Sequence, residues 1–178
     1  MNAHPTPGTL TSSPYAWSDE LANQHPQMDA THQEFIDHLA RLHAALDGER
    51  SALLDAFDDM VLHTVAHFGQ EDRWMLDTGY TKENCHTLQH RQVLDLFRDL
   101  RRQIVEQDRW ELIGRLLPEL SDWFSQHAQG ADAALAFHIS TVGYDTVTRR
   151  MPERAGQNGE ATAVTAPASS CGSDSCKD

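Results

Sequence analysis

Four stretches of the chain repeat an apolar residue every three or four positions, the spacing that keeps side chains on one face of an α-helix. Each stretch breaks its own pattern with histidine. The first steps through Met28, His32, Phe35, Leu39, Leu42 and Leu46 and ends at Asp47-Gly48. The second takes Leu53, Phe57, Met60, Thr64, His67, Glu71 and Trp74 before the run "DTGY" interrupts it. The third runs through His86, His90, Val93, Phe97, Leu100 and Ile104, with Thr81 its expected N-cap. The fourth takes Ile113, Leu116, Leu120, Trp123 and His127, with a short continuation after Gly130. Pro118 inside it is expected to kink the helix or to mark where its main segment starts. Strand signals are almost absent. Amphipathic helices of roughly 20 to 25 residues joined by short turns predict an all-α, up-down-up-down four-helix bundle.

Packing accounts for the apolar stripes but not for their imidazoles. His32 lies on the first stripe, His67 and Glu71 on the second, His86 and His90 on the third, and His127 with nearby Asp132 on the fourth. Residues four apart project from one helical face, so His67 with Glu71 and His86 with His90 form two side-by-side ligand pairs. Burying such groups without partners costs about 1 to 3 kcal/mol each, and a di-metal centre in the core removes that penalty. Five imidazoles and two carboxylates exceed the needs of one tetrahedral zinc, and no thiolate lies on the stripes. The set suits two octahedral ions, with Glu71 and Asp132 each able to bridge the pair. Nitrogen and oxygen donors favour iron, with manganese, zinc or cobalt as misloads. His127 and Asp132 are about 140° apart on a straight helix, so a π-bulge or loosened turn is expected at Gly130.

Other features bound the reading. The 178 residues suit one bundle over residues 17–150, with an N-terminal arm over 1–16 and a disordered tail over 151–178. That tail, "MPERAGQNGEATAVTAPASSCGSDSCKD", is too poor in large apolar residues to offset chain entropy. A net charge of -13 repels phosphate backbones and anionic lipid, so nucleic acid and membrane are set aside as partners. The N-terminus "MNAHPTPGTLTSSPYAW" lacks the basic and apolar regions of a secretory signal. Three cysteines, Cys85, Cys171 and Cys176, argue against a disulfide framework and for a reducing cytoplasm. Cys85 should point about 100° away from its neighbour His86 and act in packing or beside the ligands. His38, His43, His63 and His138 read as core filler or surface.

The ligand-bearing segments resemble the hemerythrin family, in particular its bacterial single-domain members. The likeness covers about Trp17 to Tyr144 and rests on "MDATH" ending in His32, "HFGQE" from His67 to Glu71, "HTLQH" from His86 to His90, and "WFSQHAQGAD" holding His127 and Asp132. Three departures stand out. Thr31 replaces the usual Gln before the first histidine, which should alter only the surroundings of the ligands. The His90 to His127 interval is longer than usual, implying extended helices or a larger loop. Phe124 stands where an aliphatic residue more often lines the oxygen pocket.

The resemblance implies two iron ions bridged by Glu71, Asp132 and an oxo or hydroxo group. His86, His90 and His127 would complete six-coordination at one iron, while His32 and His67 leave the other five-coordinate. Dioxygen would enter at that vacancy, be reduced to a bound hydroperoxide and leave again as dioxygen. Phe35, Phe68, Trp123 and Phe124 are candidates for a dry wall around it, or equally for ordinary core. The expected function is therefore reversible dioxygen binding for carriage, storage or delivery, more a binding protein than an enzyme. The alternatives are a redox enzyme acting on peroxide or nitric oxide, and an oxygen or redox sensor read by an unknown protein partner. A ferritin-like oxidase needs a Glu-x-x-His on each of two helices, and only Glu83 to His86 matches. A zinc protease lacks its His-Glu-x-x-His.

Overall fold

The computed structural model describes residues 13–80 and 85–153. The predicted N-cap Thr81, the expected tail beyond residue 153, Cys171 and Cys176 lie outside them. Within the described residues the fold is all-helical. Helix α1 spans Pro26–Ala44, α2 Arg50–Thr78, α3 Cys85–Gln107 and α4 Glu111–His127. A π-helical turn, Ala128–Asp132, then leads into α5, Ala133–Val142, so the fourth arm of the bundle is composite.

Local chemistry sets the ends. His25 caps α1, its Nδ1 accepting from the Met28 amide at 3.2 Å, and Pro26 follows at a position where the missing N–H has no helical partner. Gly79 closes α2 with φ +70°, a left-handed conformation that favours glycine. Arg50 and Asp108 pair where α2 begins and α3 has ended.

Pairs of side chains across the seams define the directions. His32 and Glu34 on α1 meet His67 and His63 on α2, so numbering rises on one helix as it falls on the other. Across α2 and α3, Glu71 meets His86 and His90, Phe57 meets Phe97, and Asp58 meets Arg101 in a two-point ion pair at 2.8 Å. Only residues 108–110 join α3 to α4, a link short enough to force antiparallel neighbours. The long His90 to His127 interval is thus taken up by extended helices, not by a larger loop.

Pro118 does not mark the start of the fourth helix. That helix begins at Glu111 and passes through Pro118 without interruption. Proline costs about 3 kcal/mol in a helix interior. Burial of Ile113, Leu116, Leu117, Leu120 and Phe124 on one face outweighs it, at roughly 1.5 to 3 kcal/mol for each large side chain.

The core is divided. The larger apolar cluster contains Phe35, Phe57, Phe68, Phe97 and Phe124, and Tyr15 and Trp17 pack against it from the N-terminal side. Tyr15, assigned to the arm from sequence, is therefore part of the packed unit. The smaller cluster contains Met28, Trp74, Met75, Leu135, Ala136, Ile139 and Tyr144. Tyr144 and Arg149 both donate to Asp77 at the end of α2 and hold the chain after α5 against it. Between the two apolar clusters lies a polar layer.

Candidate metal centre

That layer holds all seven residues singled out from sequence. His32, His67, Glu71, His86, His90, His127 and Asp132 are each buried to 4% exposure or less. Among the described residues Thr64 is the one other buried polar side chain, and its hydroxyl donates to the Met60 carbonyl of its own helix.

The two carboxylates divide the imidazoles into a pair and a triad. Glu71 Oε1 lies 3.0 Å from His67 Nε2 and 3.9 Å from His32 Nε2, while its Oε2 lies 3.4 Å from His86 Nε2 and 3.2 Å from His90 Nε2. Asp132 Oδ2 is 3.1 Å from His32 Nε2, and its Oδ1 is 2.9 Å from His86 Nε2 and 3.1 Å from His127 Nε2. Each carboxylate therefore turns one oxygen to the His32–His67 side, Glu71 Oε1 to both rings and Asp132 Oδ2 to His32, and the other to the triad, Glu71 Oε2 to His86 and His90 and Asp132 Oδ1 to His86 and His127.

The π-turn makes this arrangement possible. Its wider turn carries Asp132 back onto the face of His127, and the Ala133 amide reaches the Ala128 carbonyl five residues earlier. The loosened turn expected at Gly130 is present.

Distance and alignment together separate a metal centre from a hydrogen-bonded core. Ligands about 2.1 Å from an octahedral ion stand about 3.0 Å from their neighbours, close to the separations here. Many of these atoms are near one another without being aligned to bond. His32 Nε2, His86 Nε2, Glu71 Oε2 and both Asp132 oxygens are buried and make no hydrogen bond. In protein interiors such groups are nearly always partnered. Two ligand groups result, Glu71, His86, His90, His127 and Asp132 on one side and His32, His67, Glu71 and Asp132 on the other. The donor set fits two divalent or trivalent cations.

Outer contacts hold the rings. The Asp72 carboxylate lies 3.0 Å from His90 Nδ1, and the Gln89 side-chain carbonyl accepts from His127 Nδ1 at 2.7 Å. Each leaves Nε2 as the nitrogen facing the centre, as outer partners of a ligating imidazole do. Phe68 stacks on His90 at 3.9 Å, and Trp123 on His127 at 4.6 Å. Sequence reasoning missed Asp72 and Gln89, although each adjoins a ligand in the chain. Thr31 turns its hydroxyl onto the Gln27 carbonyl and leaves the centre alone. Cys85, half-buried at the start of α3, is outside both ligand groups.

The four aromatic candidates occupy different places. Phe124 meets His32 edge-on at 5.2 Å and stacks on Phe35 at 4.2 Å, so these two rings close the His32–His67 side. Phe68 spans His67 and His90. Trp123 lies on the triad side, against His127, and not at the imidazole pair.

The electrostatics show what the centre does without cations. Burial opposes ionisation of Glu71, but His67, His86 and His90 hold its pKa well below the ordinary value. Burial and the Glu71 charge oppose ionisation of Asp132, and His127 and His32 outweigh them. Burial also opposes the imidazolium of His86, yet Asp132 and Glu71 raise its pKa to about 9. At His127 burial prevails and the pKa falls.

A pH prediction follows for the metal-free chain. The folded pKa of His86 is raised, so its stabilising charge is fully present below about 6.5 and is lost as pH rises through about 9. The two carboxylates act in the opposite sense and lose their contribution only in acid. Denaturant titrations of chelated protein should show a loss on the order of 3 kcal/mol between pH 6.5 and 9.5, from about 1.4 kcal/mol per pH unit. A flat profile there would contradict the His86 environment.

Comparison with known proteins agrees with this geometry. The profile of the hemerythrin HHE cation binding domain matches residues 24–136. A bacteriohemerythrin of Ralstonia nicotianae is 32% identical over 129 residues, covering 72% of this chain and 91% of that protein. Bacteriohemerythrins of Stenotrophomonas maltophilia and Pseudomonas aeruginosa are each 28% identical, covering 69% and 66% of this chain and 80% and 76% of their own lengths.

Proposed function

This chain belongs to the hemerythrin family, and from that premise we propose that it binds dioxygen reversibly at a non-haem di-iron centre in its core. His86, His90 and His127 would hold one iron, His32 and His67 the other, and Glu71 and Asp132 would bridge them, together with an oxo or hydroxo group. When bound, the iron pair supplies the two electrons that dioxygen takes up and returns.

One observation carries this reading: the ligand atoms are unequally divided. The triad side has five and the pair side four, so a shared solvent-derived bridge would leave the open position beside His32 and His67. That side is closed by Phe35 and Phe124, each fully buried. Their rings exclude water and present no proton. Among the described residues the buried polar side chains are the seven candidate ligands and Thr64, whose hydroxyl donates to the Met60 carbonyl. A pair side walled by the stacked rings of Phe35 and Phe124 favours binding over turnover, with one further imidazole, His63, 5.9 Å ring to ring from His67. The absence of a disulfide framework in the sequence supports a cytoplasmic setting, where the protein would carry, store or deliver oxygen. Among the described residues no helix is long and apolar enough to cross a membrane.

The direct test is anaerobic reduction, then absorbance spectra as oxygen is added and removed, with iron counted per chain. Two irons and a charge-transfer band that comes and goes with oxygen are the expected result. A reduced protein that turns ferric with no reversible band would overturn the carrier reading. Peroxide and nitric oxide would then be the next ligands to try, for a redox enzyme or a sensor.

A further inference from the structure

The five candidate ligand rings are not held alike on their outer sides. Across the α2/α3 seam the Asp72 carboxylate lies 3.0 Å from His90 Nδ1, while His127 Nδ1 donates to the neutral amide of Gln89 at 2.7 Å. The Nδ1 atoms of His32, His67 and His86 are buried and make no hydrogen bond among the described residues. Within that set His90 alone meets an anionic side chain at its outer nitrogen.

Building on the di-iron reading, we propose that Asp72 is a positioning residue that sets the redox potential of the centre: its carboxylate, bonded to His90, makes that ring the strongest imidazole donor and favours the ferric state on the triad side.

The register of the two helices brings the carboxylate to the ring. Asp72 follows Glu71 on α2, so with Glu71 turned into the core it stands about 100° around the helix, on the α3 flank. His90 Nε2 faces Glu71 Oε2 at 3.2 Å, which leaves the ring proton on Nδ1 and directed at Asp72. Phe68 lies face to face with the ring, 3.9 Å away and 4° from parallel, so the imidazole is held against its acceptor.

A hydrogen bond to an anion draws the Nδ1 proton outward and leaves more electron density on Nε2. A richer donor stabilises the more highly charged cation, so it lowers the potential at which a ferric ion gains an electron. The neutral Gln89 amide does the same more weakly, because hydrogen bonds to ionised acceptors are roughly twice as strong. Asp72 can keep its charge, since its side chain is 48% exposed and remains solvated. Its one ion-pair partner among the described residues is the His90 ring. That ring is itself 2% exposed, so the bond acts where the surrounding dielectric is low.

The test uses the full chain loaded with iron, with its midpoint potential measured through redox mediators and its iron counted. Asp72→Asn keeps the shape of the side chain and removes the charge. It should favour the ferrous state by about 10-fold, a rise of about 59 mV for a one-electron step. Gln89→Glu gives His127 a charged acceptor and should move the potential down. Both shifts should persist in 1 M salt, where exposed charges farther than about 3 Å are screened. An unmoved potential in Asp72→Asn with two irons still bound would overturn the role of Asp72 and leave the di-iron reading standing. So would shifts of one sign in both variants, or a shift that salt abolishes. A native chain that holds no iron pair would overturn both.

Discussion

Replacing Glu71 with alanine is expected to strip both metals from the protein. Glu71 is the one residue whose two oxygens lie within 4 Å of four of the five imidazoles, His32 and His67 through Oε1 and His86 and His90 through Oε2. On the proposed ligand assignment, removing it takes a ligand from each cation at once and leaves the triad and the pair joined by Asp132 alone. The loss of affinity should exceed about 1000-fold, well beyond the roughly 10- to 100-fold typical of an outer partner. His90→Ala should also lose metal, but it removes a donor from one side only. Iron-to-protein ratios after gel filtration give the readout. Two firmly held irons in Glu71→Ala would refute the ligand assignment.

Chelation of the native protein should lower its melting temperature by about 15 to 25 °C. The centre crosses the middle of the bundle, and every arm contributes to it: α1, α2, α3 and the composite α4–α5. Without cations the layer contains buried nitrogens and oxygens that face one another without bonding. Each such group costs about 1 to 3 kcal/mol. Partial relief comes from protonated imidazoles beside Glu71 and Asp132, which is why a net loss of about 5 kcal/mol is expected and not the full sum. For a domain of this size that corresponds to the stated shift. Differential scanning calorimetry with and without chelator decides it, and a change below about 5 °C would mean that the layer is satisfied in some other way.

The seven residues that the fold gathers in one buried layer were legible in the sequence because each violates a rule. His32, His67, Glu71, His86, His90 and His127 interrupt stripes that otherwise read as apolar, and interruption at one depth on four consecutive helices is hard to obtain by packing alone. Asp132 was legible through the opposite signal, a carboxylate one residue out of phase. Asp72 and Gln89 break no rule. Both occupy positions where polar residues are ordinary, and Asp72 stands 18 residues from the His90 ring it holds. The reading of Pro118 as the start of the main helical segment failed because a local penalty was weighed without the burial that overrides it. His25 as a helix cap was not anticipated, because imidazole is not among the side chains that ordinarily signal one.

The widened turn between α4 and α5 bears on anyone who would transplant this site. Before it, the inward residues Ile113, Leu116, Leu117, Leu120, Phe124 and His127 keep one angular frame. After it, Asp132, Leu135, Ala136 and Ile139 keep another, about 100° away on an ideal helical wheel, or one residue's worth of rotation. The turn is a phase slip that brings the two frames into coincidence. A designed scaffold of four straight helices could honour the first frame or the second but not both. Grafted onto it, either His127 would face outward, or Asp132 and the apolar face that seals the end of the bundle would. The transferable unit is therefore seven side chains and one surplus residue.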